Sequence, residues 1–267
     1  DTSQKMSIRY GETIKAYIET GRDVTELAEK YGTPLYLMDE ERIRNNCRTY
    51  INAMKKYFGE KSIPLYASKA NSFKRIYAII NEEGMGSDVV SSGEIYTAKK
   101  AGFPMEKTFF HSNNKTDADV EFAMENGVGF FVADNSEELD AINSKAKDRS
   151  IRQKVLLRLT PGIDPHTFAA VATGKVDSKF GFPIETGAAM KIAEIALTKE
   201  NIILEGFHCH VGSQLFESSV FIRSAEIMLQ FIADVKAKTG FEARVLDLGG
   251  GYGVRYTEND PTIDIED

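Results

Sequence analysis

The residue whose setting most invites chemistry is Lys69. It closes an apolar, β-leaning run, IPLYASK at 63–69, and a helical pattern follows at once from Phe73 to about Glu83. An ammonium at the end of an interior strand must find a counter-charge, lose its proton or react. Two readings stand. One is a structural lysine, ion-paired or snorkelling to water. The other is a Schiff-base amine, its neutral form favoured by burial so that it attacks a carbonyl.

Four further stretches carry chemistry-bearing residues. LDLGGGYG at 246–253 puts Gly249, Gly250 and Gly251 after an apolar strand. Three N–H groups without side chains over them make an anion cradle suited to phosphate; the alternative is a tight turn. The spacing is neither a dinucleotide fingerprint nor a Walker loop. In FHCHVGSQ at 207–214, His208 and His210 lie two apart, so on a strand they share a face and Cys209 takes the other. That pair suits a metal or one buried, hydrogen-bonded histidine. Ser213 and Gly212 add a hydroxyl and an N–H for an anion. SDVVSSGE at 87–94 places Asp88 inside a strand, where it needs a partner, with Lys69 on the adjacent strand in reach; Glu94 falls in a first helical turn, where it complements the dipole. TGKVDSKFGF at 173–182 lies in a long connection and reads either as a basic mobile lid or as a solvated loop.

The elements that must position these residues recur in a rhythm. Strand patterns at 63–69, 86–91, 108–113, 129–134, 154–160, 204–212 and 243–251 alternate with helical patterns at 73–83, 93–101, 116–126, 136–146, 186–199 and 218–239. Helices between strands imply a parallel sheet. Before this series come a helix over 12–31, with a start signal at Asp23, a short strand PLYLMD at 34–39, and a helix over 40–58. Polar residues recur at the C-terminal end of nearly every strand: Lys69, Asp88, His111, Asp134, Arg158, His210 and Asp247. That favours an α/β fold of the (β/α)8 TIM-barrel type over a doubly wound sheet, which gathers its site at one switch point.

The totals set outer bounds. The 267 residues are 42% hydrophobic and 27% charged, with a net charge of −7. An acidic balance argues against nucleic acid or an anionic membrane as partner. No apolar run approaches a membrane span, and the first residues lack a signal-peptide core. Two cysteines, Cys47 and Cys209, do not make a disulfide framework and point to a reducing cytoplasm.

PLYASKAN, SDVVSSGE, FHSNNKT, LRLTPGIDPHTF with TGKVDSKFG, FHCHVGSQ and LDLGGGYG stand in the order found in the alanine-racemase-like, pyridoxal-phosphate-dependent decarboxylases, and the chain most resembles their diaminopimelate-specific branch. The resemblance implies pyridoxal 5'-phosphate as cofactor. It makes Lys69 the residue that carries the cofactor, His210 the ring-stacking histidine, and Ser213 with Gly249, Gly250 and Gly251 phosphate-binding positions. Asp88 and Arg158 support the site, and the SKFG segment is the mobile active-site loop. It also implies an alanine-racemase-type barrel over 40–267 lacking its last strand, with 1–39 contributing helices and a strand to a β-sandwich domain that is mostly absent. The family's EPGR and CES segments and its late tyrosine are not found, so this chain alone is expected to be inactive. The substrate class is a small amino acid, meso-2,6-diaminopimelate or else another basic amino acid or carboxyamine, and the full-length enzyme is a homodimer. Rivals of other classes are a non-catalytic pyridoxal-phosphate carrier barrel and a metal hydrolase using His111, His208 and His210. Three positions depart from the family pattern: Phe168 in His166-Thr167-Phe168, and Ser92 and Ser112 where glycine is common.

Overall fold

The computed structural model describes residues 23–163 and 180–267. Its strands are β1 (Leu65–Ala67), β2 (Gly86–Val89), β3 (Thr108–Phe110), β4 (Phe130–Ala133), β5 (Gln153–Thr160), β6 (Phe182–Pro183), β7 (Ile202–His208) and β8 (Val245–Asp247). Every pair is parallel. The main path runs β1-β2-β3-β4-β5-β7-β8, and the two-residue β6 joins β5. The helices are α1 (Val24–Tyr31), α2 (Glu40–Phe58), α3 (Lys74–Glu83), α4 (Ser92–Lys100), α5 (Asp117–Glu125), α6 (Ser136–Asp148), α7 (Ala188–Thr198) and α8 (Ser218–Thr239). The seven expected strands are therefore present and ordered as in a curled half-barrel. Among the described residues no strand bridges β1 and β8, which are its edges.

Register sorts the side chains. Phe131 pairs with Val155, while Ala133, Leu157, Phe207 and Leu246 form a row across four strands. These residues belong to the continuous apolar core shared with α2, α3, α4, α5, α6, α7 and α8. The alternate positions lie on the face away from the helices. There Asp88 pairs with Phe109, Phe109 with Phe130, and Arg158, His208 and Asp247 make one row. A period of two thus sends apolar side chains to the helices and ionisable ones to the open face at the strand ends.

Successive βα units are also tied by acids in the first turn of their helices. Glu94 of α4 accepts the Ser68 hydroxyl at 2.6 Å, from the turn after β1, and the Val90 N–H at 3.1 Å. Asp119 of α5 completes a capping box with Thr116 and accepts the Ser92 hydroxyl. Glu138 of α6 accepts the Asp134 N–H at 3.0 Å and pairs with Lys115 at 2.7 Å. Each carboxylate therefore complements its own helix N-terminus and holds the preceding unit as well. Glu94, expected only to face a helix dipole, is buried and makes this cross-unit bond.

Two expectations are corrected. PLYLMD is not a strand: it pairs with no described strand, and Tyr36 within it is 96% exposed. A lone extended segment has no cross-strand hydrogen bonds to define it. The helix expected over 12–31 is observed from Val24, with Asp23 capping the Thr25 N–H at 2.8 Å; 12–22 lie outside the described residues.

At Gly206 the sheet is at its tightest. A Cβ there would stand 1.8 Å from the Val245 carbonyl oxygen, beside a register shift between β5 and β7. Gly206→Ala is expected to force β7 and β8 apart and to cost at least about 1–3 kcal/mol, measured as a lowered denaturation midpoint.

Candidate active site

The open face at the strand ends collects six ionisable side chains from six strands or the residues just after them. His111 Nε2 is 2.9 Å from Asp88 Oδ1 and 3.9 Å from Asp247 Oδ2. The His111 ring meets that of His208 edge-on, centroids 4.6 Å apart. The Arg158 guanidinium stands 3.6 Å from Asp134 Oδ1 and lies over the Phe180 ring at 4.5 Å. Asp134 Oδ1, His208 Nδ1 and Asp247 Oδ2 are buried without a hydrogen-bond partner. Unsatisfied polar atoms are costly in a core, and three on one face mark it as a place for something polar to bind.

The electrostatics follow from burial and crowding. Burial, then the Asp88 carboxylate, pushes the Asp247 pKa up to about 6, with His111 opposing. Burial and the neighbouring cations hold His208 well below the usual histidine value. His210 is brought down to about 4 by burial first, then by Arg158, Lys69 and His111. His210 is therefore neutral near pH 7, and Lys69 stands close enough for its charge to be felt.

Lys69 itself differs from the expectation of a buried amine. β1 ends at Ala67, and Lys69 sits in a single 3-10 turn (Ser68–Ala70) at the open rim, exposed. An edge strand of three residues has no neighbour on its free side to cover the amine. Nor is Lys69 the partner of Asp88, which His111 takes instead. Ser68 beside it is fully buried, its hydroxyl within reach of Glu94 and of the Asp88 carbonyl at 2.7 Å, so the turn that presents Lys69 is fastened from below.

The glycines lie against His210. A Cβ on Gly249 would be 2.6 Å from the Cys209 carbonyl oxygen and 3.0 Å from His210 Nδ1; one on Gly251 would be 2.0 Å from the Gly212 carbonyl oxygen. Both have φ in the left-handed region, +71° and +107°. The Gly249 N–H is already taken by Asp247 Oδ1 at 2.8 Å, so not all three N–H groups converge on an anion. Those of Gly250 and Gly251 have no partner among the described residues. The loop bearing Ser213 is zipped to this one: Leu215 N–H donates to Gly251 O at 2.9 Å and Gly253 N–H to Leu215 O at 2.7 Å. Ser213 is exposed at its start.

The structure thus brings Lys69, Asp88, Arg158, His210 and the two glycine-bearing loops to one rim. Residues 164–179, with His166, Phe168 and the Ser178-Lys179 half of the SKFG segment, lie outside the described residues. Cys209 faces the core as expected, its Sγ 3.2 Å from the Ser224 hydroxyl and its thiol pushed up to about 11 by burial. Asp134 and Asp247 were legible only as polar strand ends, His111 as a strand end or a metal candidate and His208 as a metal candidate, and register is what makes the four one group. The imagined metal trio changes membership, since His111 and His208 gather with Asp247 and not with His210. Ligands of a tetrahedral zinc at about 2.0–2.1 Å would stand roughly 3.3 Å apart, closer than the 3.9 Å from His111 to Asp247. As placed, His111 hydrogen-bonds Asp88, and His208 and Asp247 pack beside it without hydrogen bonds to it.

Asp247 and His210 make opposite demands on stability as pH changes. Asp247 binds its proton more tightly folded than unfolded, so its contribution is lost as pH rises from about 4 to about 6. His210 binds its proton less tightly when folded, so its contribution is lost as pH falls from about 6.5 to about 4. Each is on the order of 3 kcal/mol, and they largely offset. Asp247→Asn removes one side of the balance and is expected to steepen acid destabilisation between pH 6 and 4, read from denaturant melts across that range.

Comparison with known proteins agrees with this geometry. The family model for the pyridoxal binding domain of pyridoxal-dependent decarboxylases matches residues 41–267. The chain is 44% identical over 250 residues to a diaminopimelate decarboxylase of Bacillus methanolicus, covering 93% of this chain and 58% of that protein. It is similar to the crystal structure of diaminopimelate decarboxylase from M. jannaschii in complex with L-lysine, at TM-score 0.84 and 38% identity, over 90% of this chain and 56% of that one. It is less similar to lysine/ornithine decarboxylase from Vibrio vulnificus complexed with putrescine, at TM-score 0.73 and 27% identity, over 91% of this chain and 59% of that one. The chain spans a little over half the length of these relatives. With an amine, an uncharged histidine and a glycine-lined loop meeting at the strand ends of a parallel half-barrel, and with a family match over nearly all the described residues, the chain belongs to the pyridoxal-dependent decarboxylases, through their pyridoxal binding domain.

Proposed function

We propose that this chain is the cofactor-binding part of a diaminopimelate decarboxylase, which removes CO2 from meso-2,6-diaminopimelate to give L-lysine. The observation that carries the proposal is the meeting of Lys69, His210 and the Gly249–Gly251 loop at one rim. The 44% identity to a diaminopimelate decarboxylase, against 27% to a lysine/ornithine decarboxylase, favours this substrate over other basic amino acids.

The residues fit pyridoxal 5'-phosphate. Gly249 and Gly251 leave backbone where a side chain would collide, and the open N–H groups of Gly250 and Gly251 with the Ser213 hydroxyl suit a phosphate. Lys69 Nζ, exposed and without an ion-pair partner among the described residues, is accessible to an aldehyde. His210, half-buried and neutral near pH 7, offers a flat uncharged surface to a ring. Arg158, held by Asp134, and the Asp88–His111 pair shape the charge around it. When bound, the cofactor supplies an electron sink for the bond to the departing carboxylate. The chain's own contribution is to bind, to orient and to keep polar groups fixed where charge develops.

In this reading residues 1–39 belong with a second, β-sandwich domain, 40–267 form the cofactor-binding part, and the full-length enzyme is a cytoplasmic homodimer. Exposed Tyr36, Phe58 and Tyr256 leave apolar surface for further chain or a second subunit. Both cysteines are buried and unpaired, in keeping with a reducing compartment. Among the described residues no helix is long and apolar enough to cross a membrane.

Borohydride reduction after incubation with pyridoxal phosphate, followed by peptide mapping, is expected to label Lys69, and Lys69→Ala to take no label. Label on another lysine would sink the assignment. In the full-length enzyme, CO2 release from meso-diaminopimelate is expected to exceed that from lysine or ornithine, and Lys69→Ala is expected to abolish it.

A further inference from the structure

Lys115 and Glu138 form an ion pair that the proposed function does not use, with side chains 0% and 4% exposed. Such a pair is a weak way to stabilise a core, because desolvation offsets most of its attraction and matched apolar residues often do as well or better. Burial lowers the Lys115 pKa and raises that of Glu138, each opposed by the charge of the other, so the two are retained together.

What the pair holds is specific. Lys115 Nζ donates to Ser112 O and to Val132 O, both at 2.9 Å, and lies 2.7 Å from Glu138 Oε1. Glu138 Oε2 accepts the Asp134 N–H. Ser112 follows His111 directly, and Val132 is two residues before Asp134. Ser112 has φ 137°, a conformation that L-residues rarely adopt, and such strain persists only where the surroundings over-determine it. Here the Lys115 ammonium holds its carbonyl, and its hydroxyl accepts the Asn114 N–H at 3.2 Å.

We propose that the Lys115–Glu138 pair is a positioning device for the cofactor site: it bolts the loop after β3, which carries His111, to the turn after β4, which carries Asp134, and so sets where both side chains stand on the open face. His111 then meets Asp88 and Asp247, and Asp134 meets Arg158. Lys115 and Glu138 touch none of the reacting groups and act through the backbone on either side of these two. The proposal rests on the cofactor reading above for its consequence but not for its geometry.

The test removes both charges at once. Lys115→Met/Glu138→Leu keeps the buried volume and is expected to fold with a lowered melting temperature, because Ser112 O, Val132 O and the Asp134 N–H lose their partners. Its dissociation constant for pyridoxal phosphate is expected to rise about tenfold. The chain has four histidines, so ring signals can be followed singly by NMR, and that of His111 is expected to move. A folded double variant with an unmoved His111 signal and the parent's affinity overturns the proposal. Should the double variant not fold, Glu138→Gln decides: it keeps the volume but turns an amide N–H2 towards either Lys115 or the Asp134 N–H, and an unchanged His111 signal there overturns the proposal equally. A parent protein that takes up no pyridoxal phosphate refutes the cofactor reading and leaves the NMR comparison to judge the positioning role by itself.

Discussion

Everything at the site depends on parallel register. Strands of two to eight residues, paired so that Arg158, His208 and Asp247 share one row and Leu157, Phe207 and Leu246 the next, give the sheet two faces of opposite character. Hydrogen bonds between neighbours fix the row, and the pleat fixes the face. A slip of one residue in any strand would turn an ionisable side chain towards the helices and an apolar one towards the rim. The apolar rows are the stronger term in that choice: they are buried in the core shared with α2 to α8, where each large side chain contributes about 1.5–3 kcal/mol. The polar rows follow because they have no other place to go.

Placing so many ionisable groups together is costly, and the structure manages the cost locally. Asp88 is answered by His111, Asp134 by Arg158, and Asp247 by the Gly249 N–H and a raised proton affinity. His208 and His210 answer it by staying neutral. The result is a rim with little net charge and several unsatisfied polar atoms, which is what a charged ligand of fixed shape needs to find. The acidic residues of the first helical turns, Glu94, Asp119 and Glu138, hold that rim from behind by linking each βα unit to the one before it.

Much of the fold was legible. The alternation of strand and helix patterns is a local property, and a sheet of parallel strands with crossover helices follows from it by sterics and connection length alone. The elements that were misread are those whose state depends on a partner. PLYLMD has the composition of a strand but pairs with no strand among the described residues. Lys69 has the sequence context of a buried residue, yet its strand ends two residues earlier, on the free side of the sheet. The site was legible in its residue types: a lysine, a glycine run and a His-x-His segment each suggested a role. That Asp88 would choose His111 over Lys69 was not, because the choice turns on which neighbour the curl of the sheet brings within 3 Å.

The sequence by itself determined the order and kind of the elements and the identity of the groups that carry chemistry, because periodicity and side-chain type are written along the chain. Tertiary structure alone decided which of those groups meet. Only the pairing of β2 with β3 and of β7 with β8 sets His111 between Asp88 and Asp247, and only the packing of the Gly249–Gly251 loop on His210 leaves backbone amides open at the rim. Contacts between residues more than twenty positions apart are fixed by register and packing, which no local pattern records.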